Sequence, residues 1–237
     1  MTEEKVRTIV LHYHLFKNAG TSLDHILKRN FGARWVTREF DSAQANNKEQ
    51  VAQWIIDTPS AVAFSSHTMT GPLPAIDGVR IVPVMFLRDP IARIKSAYRF
   101  ERLQTSDTWG STLAKTHTFE GFVRARLARD GDRQCRNFQT GRLASMVHNG
   151  VSERIRAHIA MERIQKFGML GLVDEFSSAV QTLSTRLKPH FPDFEAKVVR
   201  VNATPKACIA QHAAVVSTLL HDANQDDLEL LSHLQSC

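Results

Sequence analysis

The stretch Arg7-Thr-Ile-Val-Leu-His-Tyr-His14, followed directly by Leu15-Phe-Lys-Asn-Ala-Gly-Thr-Ser22, decides the fold class. Its first part is mostly apolar and β-branched, as in strands that are buried on both faces of a parallel sheet. After the small residues of the second part, Leu23, Ile26 and Leu27 have the spacing of a core-facing helix. The stretch therefore predicts a buried strand, a tight turn and a helix, with a capping box at residues 21–24.

Apolar runs and turn residues place further elements along the chain. Strands are predicted at residues 33–40, 61–65, 79–87, 168–173 and 198–201. Helices are predicted at residues 48–57, 91–103, 119–130, 152–166, 174–187, 206–221 and 225–234. Asp89 is the expected N-cap of the helix at 91–103, and Pro90 its first residue.

This order of elements predicts an α/β fold with an open, mostly parallel sheet flanked by helices and a helix-rich C-terminal half. No stretch has the composition of a flexible linker, so we expect a single domain over residues 1–237. Within it, residues 7–105 would form the α/β core and residues 106–237 a mostly helical remainder.

Composition indicates a globular protein, since 43% of the 237 residues are apolar and 23% are charged. No apolar run approaches the roughly 20 residues of a membrane span, and the N-terminus does not resemble a signal peptide. The three cysteines are odd in number and widely spaced, which argues against a disulfide framework or a metal knuckle. We therefore expect a cytoplasmic protein with no membrane span.

The turn at residues 16–22 combines features that bind anions. Small residues let backbone N–H groups converge, and the helix N-terminus adds a partial positive charge. Lys17 adds a full charge, and the hydroxyls of Thr21 and Ser22 follow. The turn is not a Walker A loop, which would need lysine in place of Thr21. Two hypotheses stay open for it, a site for a phosphate or a sulfate and an ordinary tight turn before a capped helix.

A second candidate site follows the strand predicted at 79–87. Ligands of open α/β sheets bind beyond the carboxyl ends of the strands, where Arg88 lies. On the next helix, Arg93 and Ser96 are expected on the side opposite the apolar stripe. Arg88 and Ser96 could bind a second phosphate, or Arg88 could pair with a surface carboxylate while Ser96 faces water.

Basic residues outnumber acidic ones by 30 to 24, a net charge of +6 that indicates attraction to anions. Many of the arginines fall in one segment: Arg124, Arg126, Arg129, Arg133, Arg136 and Arg142. Two hypotheses stay open for them, a solvated helix face and a binding site for an anionic polymer or cofactor.

Two motifs together resemble the signatures of carbohydrate sulfotransferases. They are Lys17-Asn-Ala-Gly-Thr-Ser22 and Leu87-Arg-Asp-Pro-x-x-Arg-x-x-Ser-x-Tyr98. The likeness is greatest to the heparan-sulfate and dermatan-sulfate hexuronyl 2-O type, and it covers roughly residues 7 to 234. Downstream segments continue it in the same order: Asn137-Phe-Gln-Thr-Gly-Arg142, Phe167-Gly-Met-Leu-Gly-Leu-Val-Asp-Glu-Phe176, Val201-Asn-Ala-Thr-Pro205 and Asn224-Gln-Asp-Asp-Leu228.

The resemblance implies a P-loop-like fold and a sulfuryl donor, 3′-phosphoadenosine 5′-phosphosulfate (PAPS), with no metal. It assigns the 5′-phosphosulfate to the first loop: Lys17, Asn18, Ala19, Gly20, Thr21 and Ser22. It assigns the 3′-phosphate to Arg88 and Ser96, and adds Thr204 and Lys206 from a loop that closes over the nucleotide. The first loop departs from the family, which has Pro-Lys-Thr or Pro-Lys-Ser where this chain has Phe16-Lys-Asn18.

The catalytic residues that the resemblance implies are His67 and Lys17. Transfer to a hydroxyl needs a group that removes its proton, and histidine suits this near neutral pH. In the family a histidine at the end of the corresponding strand does this, in a Gly-His-like context where this chain has Ser66. His12 and His14 are the alternatives for the base.

The sequence thus predicts a sulfotransferase that transfers a sulfuryl group from PAPS to a hydroxyl, with an anionic glycan as the favoured acceptor. Animal relatives work in the Golgi behind an N-terminal anchor, so this chain would be a cytoplasmic enzyme or a catalytic domain without its anchor. One alternative is a P-loop-type kinase with Asp89 as magnesium ligand. The other is a non-enzymatic basic protein that binds nucleic acid or glycans, although few aromatics accompany its arginines.

Overall fold

The computed structural model describes residues 6–41, 46–148, 150–198 and 214–236. Within these ranges five parallel strands form one sheet in the order β2-β3-β1-β4-β5. The strands are β1 (Arg7–Tyr13), β2 (Trp35–Thr37), β3 (Ala63–Ser66), β4 (Val79–Leu87) and β5 (Met169–Leu172). The α/β class and the parallel sheet predicted from the sequence are therefore confirmed.

Helices flank and follow the strands. They are α1 (Gly20–Phe31), α2 (Lys48–Asp57), α3 (Pro90–Leu103), α4 (Trp109–Thr116), α5 (Phe119–Ala128), α6 (Phe138–Ala144), α7 (Glu153–Phe167), α8 (Phe176–Leu187), α9 (Ala214–Ala223) and α10 (Gln225–Ser236). None of the helices in the described ranges combines the length and the apolar character that a membrane span needs.

The central strand β1 pairs with β3 on one side and β4 on the other, and its residues from Thr8 onward are buried. The chain runs from β1 to β2 and β3 on one side and then crosses to β4 and β5 on the other. The carboxyl end of β1 is therefore a switch point, the place where α/β sheets bind ligands. One core cluster packs Val10 of β1 against Leu23 and Leu27 of α1 and against Val180 and Leu183 of α8. This packing fixes α1 to the sheet just beyond the loop at residues 14–19.

Most predicted elements are confirmed, and those with strong local patterns have the predicted bounds. The helix at 48–57 and the strand at 79–87 match exactly. Asp89 caps α3 as predicted, since its Oδ1 accepts a hydrogen bond of 2.7 Å from the backbone N–H of Ala92. The predicted strand at 33–40 is shorter, because a 3₁₀ turn occupies Gly32–Arg34.

Sequence patterns missed α4 and α6, which are short. The start of α6 is capped by Asp227, whose carboxylate accepts hydrogen bonds from the backbone N–H groups of Gln139 and Thr140. No local pattern shows a cap from so distant a residue. Of the strand predicted at 198–201, only Val198 is described, and it lies outside any strand. Residues 206–213 of another predicted helix lie outside the described ranges.

The chain divides into two compact units. The first comprises Met1–Leu87 and Arg142–Ala203 and includes the whole described sheet; the second comprises Arg88–Gly141 and Thr204–Cys237 and is helical in its described part. A single domain over the whole chain stays a prediction.

The core of the second unit corrects one expectation about α3. Arg93 does not face solvent beside Ser96, because its side chain is fully buried. Its guanidinium donates to the carbonyl oxygen of Gln134 and lies 4.4 Å from the ring centroid of Phe138. Gln134 and Phe138 thus cover a side of α3 that lies outside its apolar stripe.

A thiol in this core gives a test of the packing. Cys135 is fully buried, and burial raises the pKa of its thiol to about 12. At pH 8 a thiol with this pKa holds roughly 1000-fold less thiolate than an ordinary cysteine. In a variant with Cys208→Ser and Cys237→Ser, a thiol reagent should therefore react with Cys135 only as the protein unfolds. Rapid modification of the folded variant at pH 8 would contradict this packing.

Candidate functional site

The loop after β1 has left-handed backbone at two residues that are not glycine, Lys17 (φ 65°) and Ala19 (φ 59°). Such conformations cost about 1 kcal/mol or more each, and they are found where function demands them. They also turn neighbouring N–H groups into a concave surface that favours anions. Asn18, between them, is buried, and its Nδ2 donates to the carbonyl oxygen of Phe86 over 2.8 Å. This bond anchors the loop to β4.

The predicted capping box is wrong. The N-cap of α1 is Ala19, and no side chain among the described residues caps this helix end. Thr21 lies inside the helix and is exposed, and Asp24 bonds to histidines instead. The partial positive charge of the helix end therefore lies at the loop, beside Lys17.

Gly20, the first residue of α1, is in close contact with an imidazole. A Cβ at this position would overlap Cδ2, Nε2 and Cγ of His14. Only glycine therefore lets the start of the helix approach this ring. The Cδ2–Nε2 edge of His14 lies directly against the anion-binding turn that the sequence predicts.

His12, His14 and Asp24 form a buried cluster at this end of β1. Nδ1 of His12 lies 2.9 Å from Oδ1 of Asp24, and Nδ1 of His14 lies 2.8 Å from Oδ2. Each imidazole donates its Nδ1–H to the carboxylate, which leaves Nε2 as the unprotonated nitrogen in the neutral ring. Ser65 of β3 adds a contact of 3.2 Å between its Oγ and Nδ1 of His12.

His67 follows β3 and lies over the same cluster. Its ring centroid is 3.7 Å from that of His14, and its Nδ1 is 2.9 Å from Oε1 of Glu39. The backbone carbonyl of His67 accepts a hydrogen bond of 2.9 Å from the guanidinium of Arg142. With its side chain 51% exposed, His67 is held by a carboxylate and an arginine and is open to a substrate.

Hydrogen bonds and nearby charges keep the carboxylates of Asp24 and Glu39 ionised. Burial alone would raise the pKa of Asp24, but the hydrogen bonds and charges of His12 and His14 outweigh it and bring the pKa well below its usual range. The pKa of Glu39 is also lowered, since bonds from His67 and Thr68 outweigh burial. Burial lowers the pKa of His14, against the opposing effect of Asp24. His14 therefore favours its neutral form at neutral pH.

The structure brings together one part of the predicted site. Residues 17–22, His14 and His67 adjoin at the carboxyl end of β1 and β3 in the first unit. Lys17 and Ser22 are half-buried there, and the Lys17 ammonium lies 6.0 Å from the ring centroid of Phe16. Thr204 and Lys206 lie outside the described residues.

Arg88 and Ser96 belong to the second unit. The side-chain amide of Gln139 both donates to the carbonyl oxygen of Arg88 and accepts from its N–H, each over 2.8 Å. Gln139 is fully buried, so it fixes the backbone from which the Arg88 side chain projects. Ser96 is half-buried on α3.

Sequence reasoning missed the three residues that hold the histidines: Asp24, Glu39 and Arg142. His12 and His14 are two residues apart, and side chains at this spacing in extended chain point to the same side. This spacing could have predicted that the two histidines act together. Glu39 lies in the loop after β2, and only the β2–β3 pairing brings it to His67. No spacing in the sequence predicts that contact.

The arginine cluster serves mostly internal contacts. Arg126 pairs with Glu101 and Asp132 at 2.6 and 2.9 Å, and Arg124 pairs with Glu120 within α5. Other members bond to backbone carbonyls: Arg133 to Asn137, Arg136 to Leu127, and Arg142 to His67 and Met69. These contacts give most of the cluster partners within the chain, while Arg124 and Arg129 are exposed.

The contact between Gly20 and His14 predicts a strong coupling. Gly20→Ala should lower the free energy of unfolding by about 1–3 kcal/mol, because the added methyl group overlaps the ring. In a His14→Ala background the same substitution should cost at least about 1 kcal/mol less. Urea unfolding of the four proteins measures this cycle.

Gly121→Ala in α5 is the matched control, since its Cβ would lie 3.2 Å from the His117 side chain at the exposed start of that helix. Alanine also favours helix by up to about 1 kcal/mol. Equal effects of Gly20→Ala and Gly121→Ala, or no coupling with His14, would refute the close contact.

Comparison with known proteins identifies a relative of this chain but assigns no activity to it. No family model matches the chain. An uncharacterized protein of Archaeoglobus fulgidus is 39% identical over 205 residues, which cover 83% of this chain and 79% of that protein. At this identity and coverage, the chain belongs to the same family as the Archaeoglobus fulgidus protein.

Proposed function

We propose that this protein is a PAPS-dependent sulfotransferase that transfers a sulfuryl group to a hydroxyl of a saccharide acceptor. In this proposal the sheet with its Lys17 loop is a P-loop-like nucleotide-binding core. The loop binds the 5′-phosphosulfate, and Arg88 and Ser96 bind the 3′-phosphate, as the resemblance of the two motifs implies.

One observation carries the proposal. The ring of His14 contacts Gly20 in the anion-binding turn and also stacks on the ring of His67. The turn and the candidate base were predicted from separate parts of the sequence, and a single imidazole separates them. A sulfuryl group held by the loop would thus lie near a histidine that can accept the proton of an alcohol.

The geometry supports in-line transfer by residues of this chain. The Nδ1–H of His67 donates to Glu39, so its Nε2 can take the proton of the acceptor hydroxyl. As the acceptor oxygen bonds to sulfur, the bond from sulfur to the bridging phosphate oxygen breaks. The electron pair then stays on adenosine 3′,5′-bisphosphate. Lys17 and the loop N–H groups stabilise the charge that grows on these oxygens.

The scheme itself requires no metal, because a sulfuryl group carries less charge than a terminal phosphoryl group. The kinase alternative is weakened by Asp89, its intended magnesium ligand, which caps α3 instead. The internal contacts of the arginines weaken the nucleic-acid alternative.

Binding of adenosine 3′,5′-bisphosphate is the first test. At 100 times its Kd, this nucleotide should raise Tm by about 5–10 °C. Lys17→Ala should reduce this shift and lower turnover of labelled PAPS on a glycan panel by about 100-fold or more. Lys28→Ala, on the exposed side of α1, is the control and should behave as wild type. No Tm shift of the wild type at millimolar nucleotide would refute the cofactor.

The role of His67 separates binding from chemistry. His67→Ala should keep the Tm shift with adenosine 3′,5′-bisphosphate while turnover falls by about 100- to 10,000-fold, the usual contribution of a general base. His25→Ala, an exposed histidine of α1, should leave both unchanged. Wild-type turnover in His67→Ala would remove this residue from the mechanism.

A further inference from the structure

The cluster of His12, His14 and Asp24 contains the donor atoms of a metal site. His12 belongs to β1, His14 directly follows the strand, and α1 contributes the carboxylate. Their ligand atoms all lie within 4.8 Å of one another. Two imidazole nitrogens and one carboxylate are a donor set that binds first-row divalent transition metals.

The distances are compatible with one shared ion. Nδ1 of His12 lies 2.9 Å from Oδ1 of Asp24, and Nδ1 of His14 lies 2.8 Å from Oδ2. Without an ion these are the lengths of hydrogen bonds. An ion that forms bonds of roughly 2.1 Å to nitrogen and oxygen can bridge the same atoms.

Burial and charge point in the same direction. The side chains of His12, His14 and Asp24 are only 1%, 7% and 14% exposed. The three donor groups therefore lie in a place with little water, where a bound cation interacts strongly with a carboxylate.

The surroundings can complete such a site. Oγ of Ser65 lies 3.2 Å from Nδ1 of His12 and already accepts a hydrogen bond of 3.1 Å from Nε1 of Trp35, which fixes its position. The ring of His67 covers His14 on the side where the protein is open to solvent.

We propose that His12, His14 and Asp24 bind one divalent transition-metal ion, such as Ni²⁺ or Co²⁺, with water in the remaining positions. The ion replaces the two Nδ1 protons, which move to Nε2 of the same rings. It joins β1 to α1 and so cross-links the two ends of the loop that contains Lys17. The site is independent of the sulfotransferase proposal, whose chemistry needs no metal.

Metal titration of the whole chain, after treatment with a chelator and without nucleotide, tests the site. Calorimetry should find that one Ni²⁺ binds per chain and that this binding disappears when a ligand of the cluster is substituted. Ni²⁺ at 100 times its Kd should raise Tm by about 5–10 °C. Co²⁺ should give visible absorption that differs from that of the free aqueous ion. Mg²⁺, which prefers oxygen ligands alone, should produce no comparable shift.

Asp24→Asn and His14→Gln should abolish the Ni²⁺-dependent rise in Tm, because each removes one ligand while keeping the size of the side chain. His25→Gln removes an exposed imidazole of α1 that lies beside Asp24 in sequence and should keep the full rise. Circular dichroism without metal shows whether each variant folds. The absence of stoichiometric binding in the wild type, or an undiminished rise in folded Asp24→Asn, overturns the proposal.

Discussion

The carboxylate of Asp24 accepts hydrogen bonds from both His12 and His14, and the loop between β1 and α1 depends on this shared acceptor. His12 belongs to β1, His14 directly follows the strand, and Asp24 belongs to α1, so these bonds join the two ends of the loop. Asn18 holds its middle against β4. A loop held in this way can keep Lys17 and Ala19 in left-handed backbone, a conformation that would relax in a free segment.

Contacts of His14 also place His67 beside the loop between β1 and α1. Gly20 allows His14 to approach the helix start, and the stack of His14 on His67 places a half-exposed imidazole next to the predicted anion site. Glu39 and Arg142 then fix His67 through its ring and its backbone carbonyl. Each candidate histidine in the first unit is thus held by a carboxylate, His12 and His14 by Asp24 and His67 by Glu39.

The arginines of this chain show that a count of charges does not fix how each residue is used. A net charge of +6 and a dense run of arginines suggest an anionic polymer. Two arginines are buried inside the second unit. Arg126 lies between the carboxylates of Glu101 and Asp132. Arg93 bonds to Gln134 and lies against the ring of Phe138. The planar guanidinium suits both uses, because it binds carboxylates and stacks on rings. A count of charges does not tell these uses apart.

The sequence by itself determined the elements whose patterns are local. These are the buried strands, the Asp89 and Pro90 start of α3, the turn around Lys17 and the α/β order, since each depends on neighbours within a few residues. Tertiary structure alone decided the partners of these residues. Asp24 bonds to histidines where a helix cap was expected, Glu39 reaches His67 through strand pairing, and Asp227 caps α6 from the far end of the chain. Burial makes an unpaired charge costly, so distant residues were brought together by a requirement that no short stretch of sequence displays.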